Sequence, residues 1–168
     1  MNPDLFWVPG PWHGRLAVIG RPRGGDWLED EVSAWRRAGL DVIVSLLEAE
    51  EAAQLELLEE EALARSKHVQ FVSFPIPDRG VPASTKDALS LFAKIGRKLD
   101  GGENVAIHCR QSVGRSGMVA AGLLITAGMG VDKAIEAVSA ARGQSVPETV
   151  EQLQWIRHLP AEQLALAP

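Results

Sequence analysis

The chain has 168 residues, 46% of them hydrophobic and 23% charged, and its formal net charge is −5. This size and composition predict a single globular domain over residues 1–168, with its core between about residues 14 and 158. The acidic balance argues against a general nucleic-acid-binding surface. A lone cysteine excludes an internal disulfide, and with an N-terminus that lacks a secretory pattern it favours a reducing, cytoplasmic setting.

The first part of the chain predicts a strand, a loop and a helix. Residues 16–19 are apolar and predict a strand, whereas residues 20–25 are rich in glycine and proline and predict a loop. Asp26, with Glu29 three residues later, resembles a capping box at the start of a helix. This helix is expected to end near Ala38, before a glycine.

The middle of the chain repeats the alternation. Residues 42–47 form an apolar run that predicts a buried strand. Residues 48–65 are rich in Ala, Leu and Glu and predict helix in two pieces, with the acidic side facing solvent. Residues 69–74 predict a third strand, and the prolines of residues 75–82 predict a loop. A serine-capped helix is predicted over residues 84–99.

The last part of the chain predicts one strand and three helices. The strand covers residues 105–108, and an apolar helix is predicted at about 115–127. The longest nearly apolar stretch, residues 117–131, is too short to span a bilayer. Two further helices are predicted at 131–141 and 147–158, the second with Pro147 in its first turn. Strands that alternate with helices predict an α/β domain whose sheet is covered on both faces. Such domains bind ligands at the carboxyl ends of their strands.

The residues that carry chemistry follow the last predicted strand. His108 and Cys109 are followed by five loop residues and then by Arg115 and Ser116. A buried strand thus delivers a cysteine to a short loop that enters a helix, and the loop amides would form an anion-binding nest. The nest and the helix N-terminus both favour the thiolate, which makes Cys109 the predicted nucleophile. The residues expected to bind the phosphate are Arg110, Gln111, Ser112, Val113, Gly114 and Arg115.

Four residues are predicted to support the nucleophile. The planar fork of Arg115 can bind two phosphate oxygens and stabilise the transition state. Ser116 can donate a hydrogen bond to the sulfur, which would help it leave, and His108 is expected to be a fixed hydrogen-bonding support. Asp78 lies in a proline-stiffened loop after a strand. It is the predicted general acid, and its carboxylate would later activate water.

At these residues the chain resembles the protein tyrosine phosphatase superfamily, in its compact dual-specificity-like branch. The family signature is His-Cys, five residues, then Arg followed by Ser or Thr, and residues 108–116 match it. Residues 77–82 look like the acid loop of the family. Residues 142–152 look like the late segment in which some members place a glutamine that positions the hydrolytic water, which implies that role for Gln152. The resemblance covers about residues 14–158.

The resemblance implies a two-step hydrolysis of phosphomonoesters through a phosphocysteine, without a metal ion or another cofactor. It also implies a central mixed sheet of four or five strands with helices on both faces. The implied partner is a phosphorylated protein or a small phosphomonoester. One position departs from the family pattern, because Ser112 stands where the family usually has glycine. If that position requires a positive φ, serine is strained there or the loop is locked in another way.

The sequence leaves the substrate and two other functions open. Arg110 is the one basic residue inside the loop, so phosphoinositides rank below phosphoproteins. Arg21, Arg23 and Arg79 could contact an acidic or doubly phosphorylated substrate. A sulfurtransferase of the rhodanese type also uses a cysteine in an anion-binding loop. A non-catalytic phosphate-binding module is the other alternative, and Ser112 favours it.

Overall fold

The structure, a computed structural model, describes residues 3–167 and contains one mixed sheet. Its strands are β1 (Leu5–Val8), β2 (Leu16–Ile19), β3 (Val42–Ser45), β4 (Gln70–Ser73) and β5 (Val105–His108). They lie in the order β1-β2-β5-β3-β4, with β1 antiparallel to β2 and all other neighbours parallel. The predicted mixed sheet of four or five strands is confirmed. Each of the four predicted strands is present, and β1 is an addition.

Seven α-helices surround this sheet within the described residues. They are α1 (Leu28–Arg37), α2 (Ala49–Gln54), α3 (Glu60–Ser66), α4 (Thr85–Asp100), α5 (Gly114–Thr126), α6 (Val131–Arg142) and α7 (Val150–Leu166). The segment predicted as two helical pieces is α2 and α3, so this prediction is confirmed. None of the helices between residues 3 and 167 is both long and apolar enough to cross a membrane.

Two predicted helix starts are wrong. Asp26 lies inside a 3₁₀ turn (Gly25–Trp27) that precedes α1, and the N-cap of α1 makes no side-chain hydrogen bond. Pro147 lies ahead of α7, which begins only at Val150, after Thr149. The capping box of this helix joins Thr149 and Gln152 instead. The Ser84 cap is confirmed, because its hydroxyl accepts the third amide of α4.

The sheet is covered by helices on both faces, as predicted. Alternate residues of each strand point to opposite faces, so Val18 and Ile107 pack with α4 to α7, while Ile19 and Ile43 pack with α1 and α3. The helix α5 is buried on all sides. It approaches α4 so closely at Gly122 that a Cβ there would lie 2.6 Å from the Phe92 ring. This packing fixes the start of α5, where the loop after β5 enters it.

The buried core begins before the predicted limit of residue 14 and ends at Leu159, next to the predicted limit of residue 158. Val8 of β1 is buried in the same apolar cluster as α5. The helix α7 continues to Leu166, although it contains Pro160. The parallel strands β3, β4 and β5 end at one edge of the sheet, with Ser45 in register with both Ser73 and His108. The segments that follow these three strands therefore lie together at the carboxyl-terminal edge of the sheet.

Candidate active site

Residues 109–114, called the cysteine loop below, follow β5 and include Gly114, the first residue of α5. Cys109 is the first residue after β5 and is buried, with 3% of its surface exposed. The backbone amide of Ser112 donates a hydrogen bond to its sulfur at 3.3 Å. The loop thus turns an amide toward the sulfur, as an anion-binding nest requires.

Ser112 adopts the backbone conformation that the family's glycine would adopt without strain. Its φ is 63°, in the left-handed region, which L-residues other than glycine seldom occupy. The buried hydroxyl of Ser112 donates to the backbone carbonyl of Ile19 at the end of β2. This hydrogen bond ties the loop to the neighbouring strand, and it offsets part of the backbone strain.

Two arginines, Arg21 and Arg142, donate hydrogen bonds to backbone carbonyls of the cysteine loop. Nη1 of Arg21 donates to the carbonyl of Arg110 at 2.7 Å. Arg142, near the end of α6, donates from Nε to the carbonyl of Ser112 at 3.0 Å and from Nη2 to that of Gln111 at 3.5 Å. Three successive carbonyls are therefore bound from outside. The sequence did not suggest this role, because both arginines are distant in the chain.

The guanidinium of Arg115 is buried and held at fixed points. Nη1 donates to both carboxylate oxygens of Glu51, at 3.0 and 2.9 Å, and to the carbonyl of Ile76 at 2.8 Å. Nη2 lies 3.2 Å from Oδ1 of Asp78. Among the described residues, Nε has no hydrogen-bond partner, so the edge formed by Nε and Nη2 has donors left for an oxyanion.

Glu51 and Glu60 correct the prediction that the acidic side of α2 and α3 faces solvent. Both are buried, which for a carboxylate requires a charged or hydrogen-bonding partner. Glu51 binds Arg115, as described above. Glu60 lies with Oε1 2.5 Å from Nε2 of His108, and neither side chain is more than 3% exposed. The other nitrogen of His108 lies 3.5 Å from the carbonyl of Cys109.

His108 is therefore held from both nitrogens. The Cys109 carbonyl can accept only from Nδ1–H, while Nε2 shares a hydrogen with the carboxyl group of Glu60. The ring of Trp35 lies 6.2 Å from the imidazole, centroid to centroid. An imidazole fixed in this way supports the Cys109 carbonyl at the start of the cysteine loop. Neither of its nitrogens is exposed to solvent, so it is not placed to exchange protons with a substrate.

Asp78 lies beside Arg115, on the side that faces solvent. Its side chain is 55% exposed, and the loop that carries it is closed by a hydrogen bond from the Gly80 amide to the Pro77 carbonyl at 2.8 Å. Arg79 follows with a positive φ of 61° and pairs with Glu148 at 2.9 Å. This loop, residues 77–80, is called the acid loop below. It is attached to the segment that precedes α7.

Gln152 joins the acid loop to the start of α7. It is fully buried, and its Oε1 accepts the amides of Glu148 and Thr149, both at 3.2 Å. Its Nε2 donates to the carbonyl of Gly80 at 3.0 Å. A Cβ at Gly114 would lie only 2.9 Å from its Oε1, so Gln152 packs directly against the end of the cysteine loop. The structure thus gives Gln152 contacts that hold both loops.

A small cavity of about 130 Å³ collects the predicted catalytic groups. Its lining residues are Asp78, Arg79, Cys109, Gln111, Gly114, Arg115 and Glu148. Ser116 and Gln152 do not line it. The Ser116 hydroxyl is buried and has no hydrogen-bond partner in residues 3–167. The residues predicted as nucleophile, phosphate-binding arginine and general acid therefore border one cavity, and the sequence did not predict the buried glutamates behind them.

Comparisons with known proteins agree with this arrangement. A family model described as "Polymorphic toxin system, DSP-PTPase phosphatase" matches residues 17–129, which is more than half of the chain. No curated protein sequence matches the chain.

Several solved structures have the same fold. Kinase associated phosphatase (KAP), with its catalytic cysteine replaced by serine, has a TM-score of 0.89 at 17% identity and covers 100% of this chain and 99% of that one. Tk-PTP in its active form has a TM-score of 0.79 at 28% identity, with 96% and 99% covered. A variant of human DUSP28 has a TM-score of 0.67 at 18% identity, with 96% and 98% covered.

The family match decides between the functions that the sequence left open. It supports a phosphatase over a rhodanese-type sulfurtransferase and over a module that only binds phosphate. The structural similarity supports the same fold over nearly the whole chain. The chain belongs to the family described as "Polymorphic toxin system, DSP-PTPase phosphatase" and is a cysteine-dependent phosphatase of the protein tyrosine phosphatase type.

Proposed function

We propose that the protein hydrolyses phosphomonoesters in two steps through a phosphocysteine at Cys109, without a metal ion. One observation carries this proposal: Cys109 and Arg115, from the segment after β5, and Asp78, from the loop after β4, border the same small cavity. A nucleophile, an oxyanion-binding cation and a proton donor are the groups that this reaction needs. The amide of Ser112 near the sulfur supports the thiolate form.

The first step transfers the phosphoryl group to sulfur. The Cys109 thiolate donates an electron pair to phosphorus, and the bond from phosphorus to the ester oxygen breaks. Asp78 gives its proton to the departing oxygen, which leaves as an alcohol or a phenol. The Nε and Nη2 edge of Arg115 binds two of the non-bridging oxygens, while the backbone of residues 110–114 binds the phosphate from the other side.

The second step regenerates the enzyme. Water attacks phosphorus, Asp78 now takes the proton as a carboxylate, and the bond from sulfur to phosphorus breaks to release inorganic phosphate. The Ser116 hydroxyl, which has no other partner in the described chain, donates to the departing sulfur. Gln152 does not line the cavity and its amide is bound to Gly80, Glu148 and Thr149, so we propose that it positions the hydrolytic water only by holding the acid loop beside the cysteine loop.

We propose a phosphorylated protein as the substrate, with tyrosine or dual specificity, ahead of a small phosphomonoester. Phosphoinositides rank lower, because Arg110 is the one basic residue inside the cysteine loop before Arg115. The single cysteine supports a reducing, cytoplasmic place of action, and the net charge of −5 supports the absence of nucleic acid from the partners. We take residues 1–168 to be one phosphatase domain.

The family description also suggests a biological setting. It names polymorphic toxin systems, and we propose that the phosphatase acts in such a system. Induced expression of the chain in a bacterial host should then slow growth, and Cys109→Ser should restore it. Equal growth inhibition by both proteins would contradict this setting without touching the chemistry.

Hydrolysis of p-nitrophenyl phosphate tests the proposed chemistry. The purified protein should turn it over without added metal and in the presence of EDTA, and vanadate should block the reaction. Cys109→Ser should lose turnover and still bind phosphate, because the cysteine loop and Arg115 remain. Full activity in this variant would refute the nucleophile. Transfer of sulfur from thiosulfate to cyanide, with no release of phosphate from any ester, would point to the sulfurtransferase alternative.

A further inference from the structure

A groove of about 520 Å³ lies between α6 and α7, next to the catalytic cavity at Cys109. Its walls are the first turns of α6, the segment 145–149 and the first turns of α7. Glu148 lines both this groove, called the α6–α7 groove below, and the catalytic cavity. A polypeptide whose phosphate reaches Cys109 can therefore continue past Glu148 into the α6–α7 groove.

The α6–α7 groove has an apolar wall. The apolar side chains that line it are Ile135, Val146, Pro147, Val150 and Leu153. Val150 begins α7 and is 71% exposed, so the protein itself does not cover this wall. A side chain with an apolar portion that lies along the groove would remove this surface from water, which is favourable.

The charged side chains of the groove are mainly carboxylates. Asp132, Glu136 and Glu148 line it together with Arg157. Arg157 pairs with Asp132 at 3.1 Å, and Arg79 occupies Oε1 of Glu148 at 2.9 Å. In the described part of the chain, neither Glu136 nor Oε2 of Glu148 has an ion-pair or hydrogen-bond partner. Negative charge that no protein group neutralises therefore remains in the lining of the groove.

A lysine or arginine side chain matches both properties of the groove. Its methylene stem can pack on the apolar wall while its cationic end reaches a carboxylate. Arg157 makes such a contact within the groove itself, where it reaches Asp132. An inositol phosphate or a nucleic acid would instead bring further negative charge close to Glu136 and Glu148. Charge complementarity thus favours a basic segment of a protein as the occupant.

We propose that the α6–α7 groove binds a lysine or arginine side chain of a phosphoprotein substrate, a few residues from the phosphorylated residue. This inference rests on the proposed function, because that function places the phosphate at Cys109. Glu136 binds the cationic end, and Val150 and Leu153 pack against the stem. The contact raises the affinity for the substrate and takes no part in bond breaking, so Glu136 is a specificity-determining residue.

The test compares two peptides within each protein variant. Each peptide has blocked ends and carries one phosphotyrosine in an otherwise uncharged sequence. One peptide has a lysine between one and five residues before or after the phosphotyrosine, and its partner has glutamine at the same position. For the best position, kcat/KM should be about 5-fold higher with lysine, at the upper end for a contact between exposed charges. Added salt should reduce this ratio.

Reversal of the charge at Glu136 should reverse the preference. In Glu136→Lys, kcat/KM should be higher for a peptide with glutamate at the best position than for the peptide with lysine. Hydrolysis of p-nitrophenyl phosphate should stay unchanged, because Glu136 does not line the catalytic cavity. Glu162→Lys is the matched control, since it makes the same charge change on the exposed surface of α7 outside the groove. This control should keep the wild-type preference for lysine.

The possible outcomes separate this inference from the proposed function. A ratio near 1 at every lysine position in the wild type, with the peptides still hydrolysed, would overturn the role of the groove and leave the chemistry intact. A lysine preference that Glu136→Lys does not change would also overturn it. Absence of turnover for every peptide and for p-nitrophenyl phosphate would instead overturn the proposed function.

A binding measurement gives a readout that does not depend on turnover. Calorimetry with Cys109→Ser should show about 5-fold tighter binding of the lysine peptide than of the glutamine peptide. Equal affinities for the two peptides would contradict the proposal. Sedimentation tests a second copy of the chain as the alternative occupant. Self-association that Glu136→Lys abolishes, together with the absence of a lysine preference, would show that the assignment to a substrate is wrong.

Discussion

The carboxylate of Glu51 contacts Nη1 of Arg115 with both of its oxygens, at 3.0 and 2.9 Å. This contact crosses from α2 to the first turn of α5, and only 2% of the Arg115 side chain and 11% of the Glu51 side chain are exposed. A buried guanidinium needs such a partner, because an unpaired charge in the interior is costly. The contact also orients the guanidinium, since it occupies Nη1 and leaves the Nε and Nη2 edge for phosphate.

Replacing Glu51 by alanine should impair both stability and activity. The free energy of unfolding should fall by about 3 kcal/mol, because the buried charge of Arg115 loses its partner. For p-nitrophenyl phosphate, kcat/KM should fall about 100-fold, because the guanidinium is no longer oriented. Urea denaturation and steady-state kinetics measure the two effects. Glu50→Ala, at the exposed neighbouring position, is the control and should behave as wild type. Unchanged kinetics in Glu51→Ala would reject the orienting role.

Glu60 should matter for stability through His108. Glu60→Ala leaves a buried imidazole without its partner at 2.5 Å, so we expect a loss of about 2 to 4 kcal/mol in the free energy of unfolding. Glu60→Gln should lose less, because an amide can still share a hydrogen bond with Nε2. Glu59→Ala is the control, since Glu59 is exposed and makes no side-chain cap hydrogen bond. If Glu60→Ala and Glu59→Ala were equally stable, the contact would contribute nothing.

Two substitutions at Ser112 separate its backbone strain from its hydrogen bond. Ser112→Ala keeps the positive φ and removes the hydroxyl that donates to Ile19, so stability should fall by about 1 to 2 kcal/mol. Ser112→Gly also loses the hydroxyl but relieves the backbone, so it should lie close to wild type. Thermal or chemical unfolding of the three proteins measures the order. An alanine variant as stable as the glycine variant would show that the left-handed conformation carries no cost here.

Asp78→Asn should slow turnover most for substrates with a poor leaving group. Asparagine can still accept from Nη2 of Arg115 but cannot give a proton to the ester oxygen. With phenyl phosphate or a phosphopeptide, kcat should fall by about 100-fold or more, and p-nitrophenyl phosphate should be less affected. Because the acid acts in its protonated form, the variant should also lose the alkaline limb of the pH–rate profile. Asp87→Asn is the control on the exposed first turn of α4. Equal rates for wild type and Asp78→Asn would require another acid.

The local part of the site could be predicted from the sequence because its signals lie close together in the chain. The cysteine loop, β5 and the start of α5 are contiguous, so the spacing from Cys109 to Arg115 determines which groups converge. The apolar runs that became β2 to β5 are equally local. The capping box of α7 was also readable, since Thr149 and Gln152 have the required spacing, and the prediction placed the helix start at Pro147 instead.

Only the tertiary structure shows which charged side chains of α2 and α3 are buried. The segment 48–65 contains many glutamates, and nothing in its composition distinguishes Glu51 and Glu60 from their exposed neighbours. They are buried because the sheet order places β3 beside β5, which brings α2 and α3 against Arg115 and His108. The same holds for Arg142, whose partners Ser112 and Gln111 lie 30 and 31 residues away in the chain. Local spacing predicts which groups line the cavity, whereas contacts between distant segments select the charges that hold those groups in place.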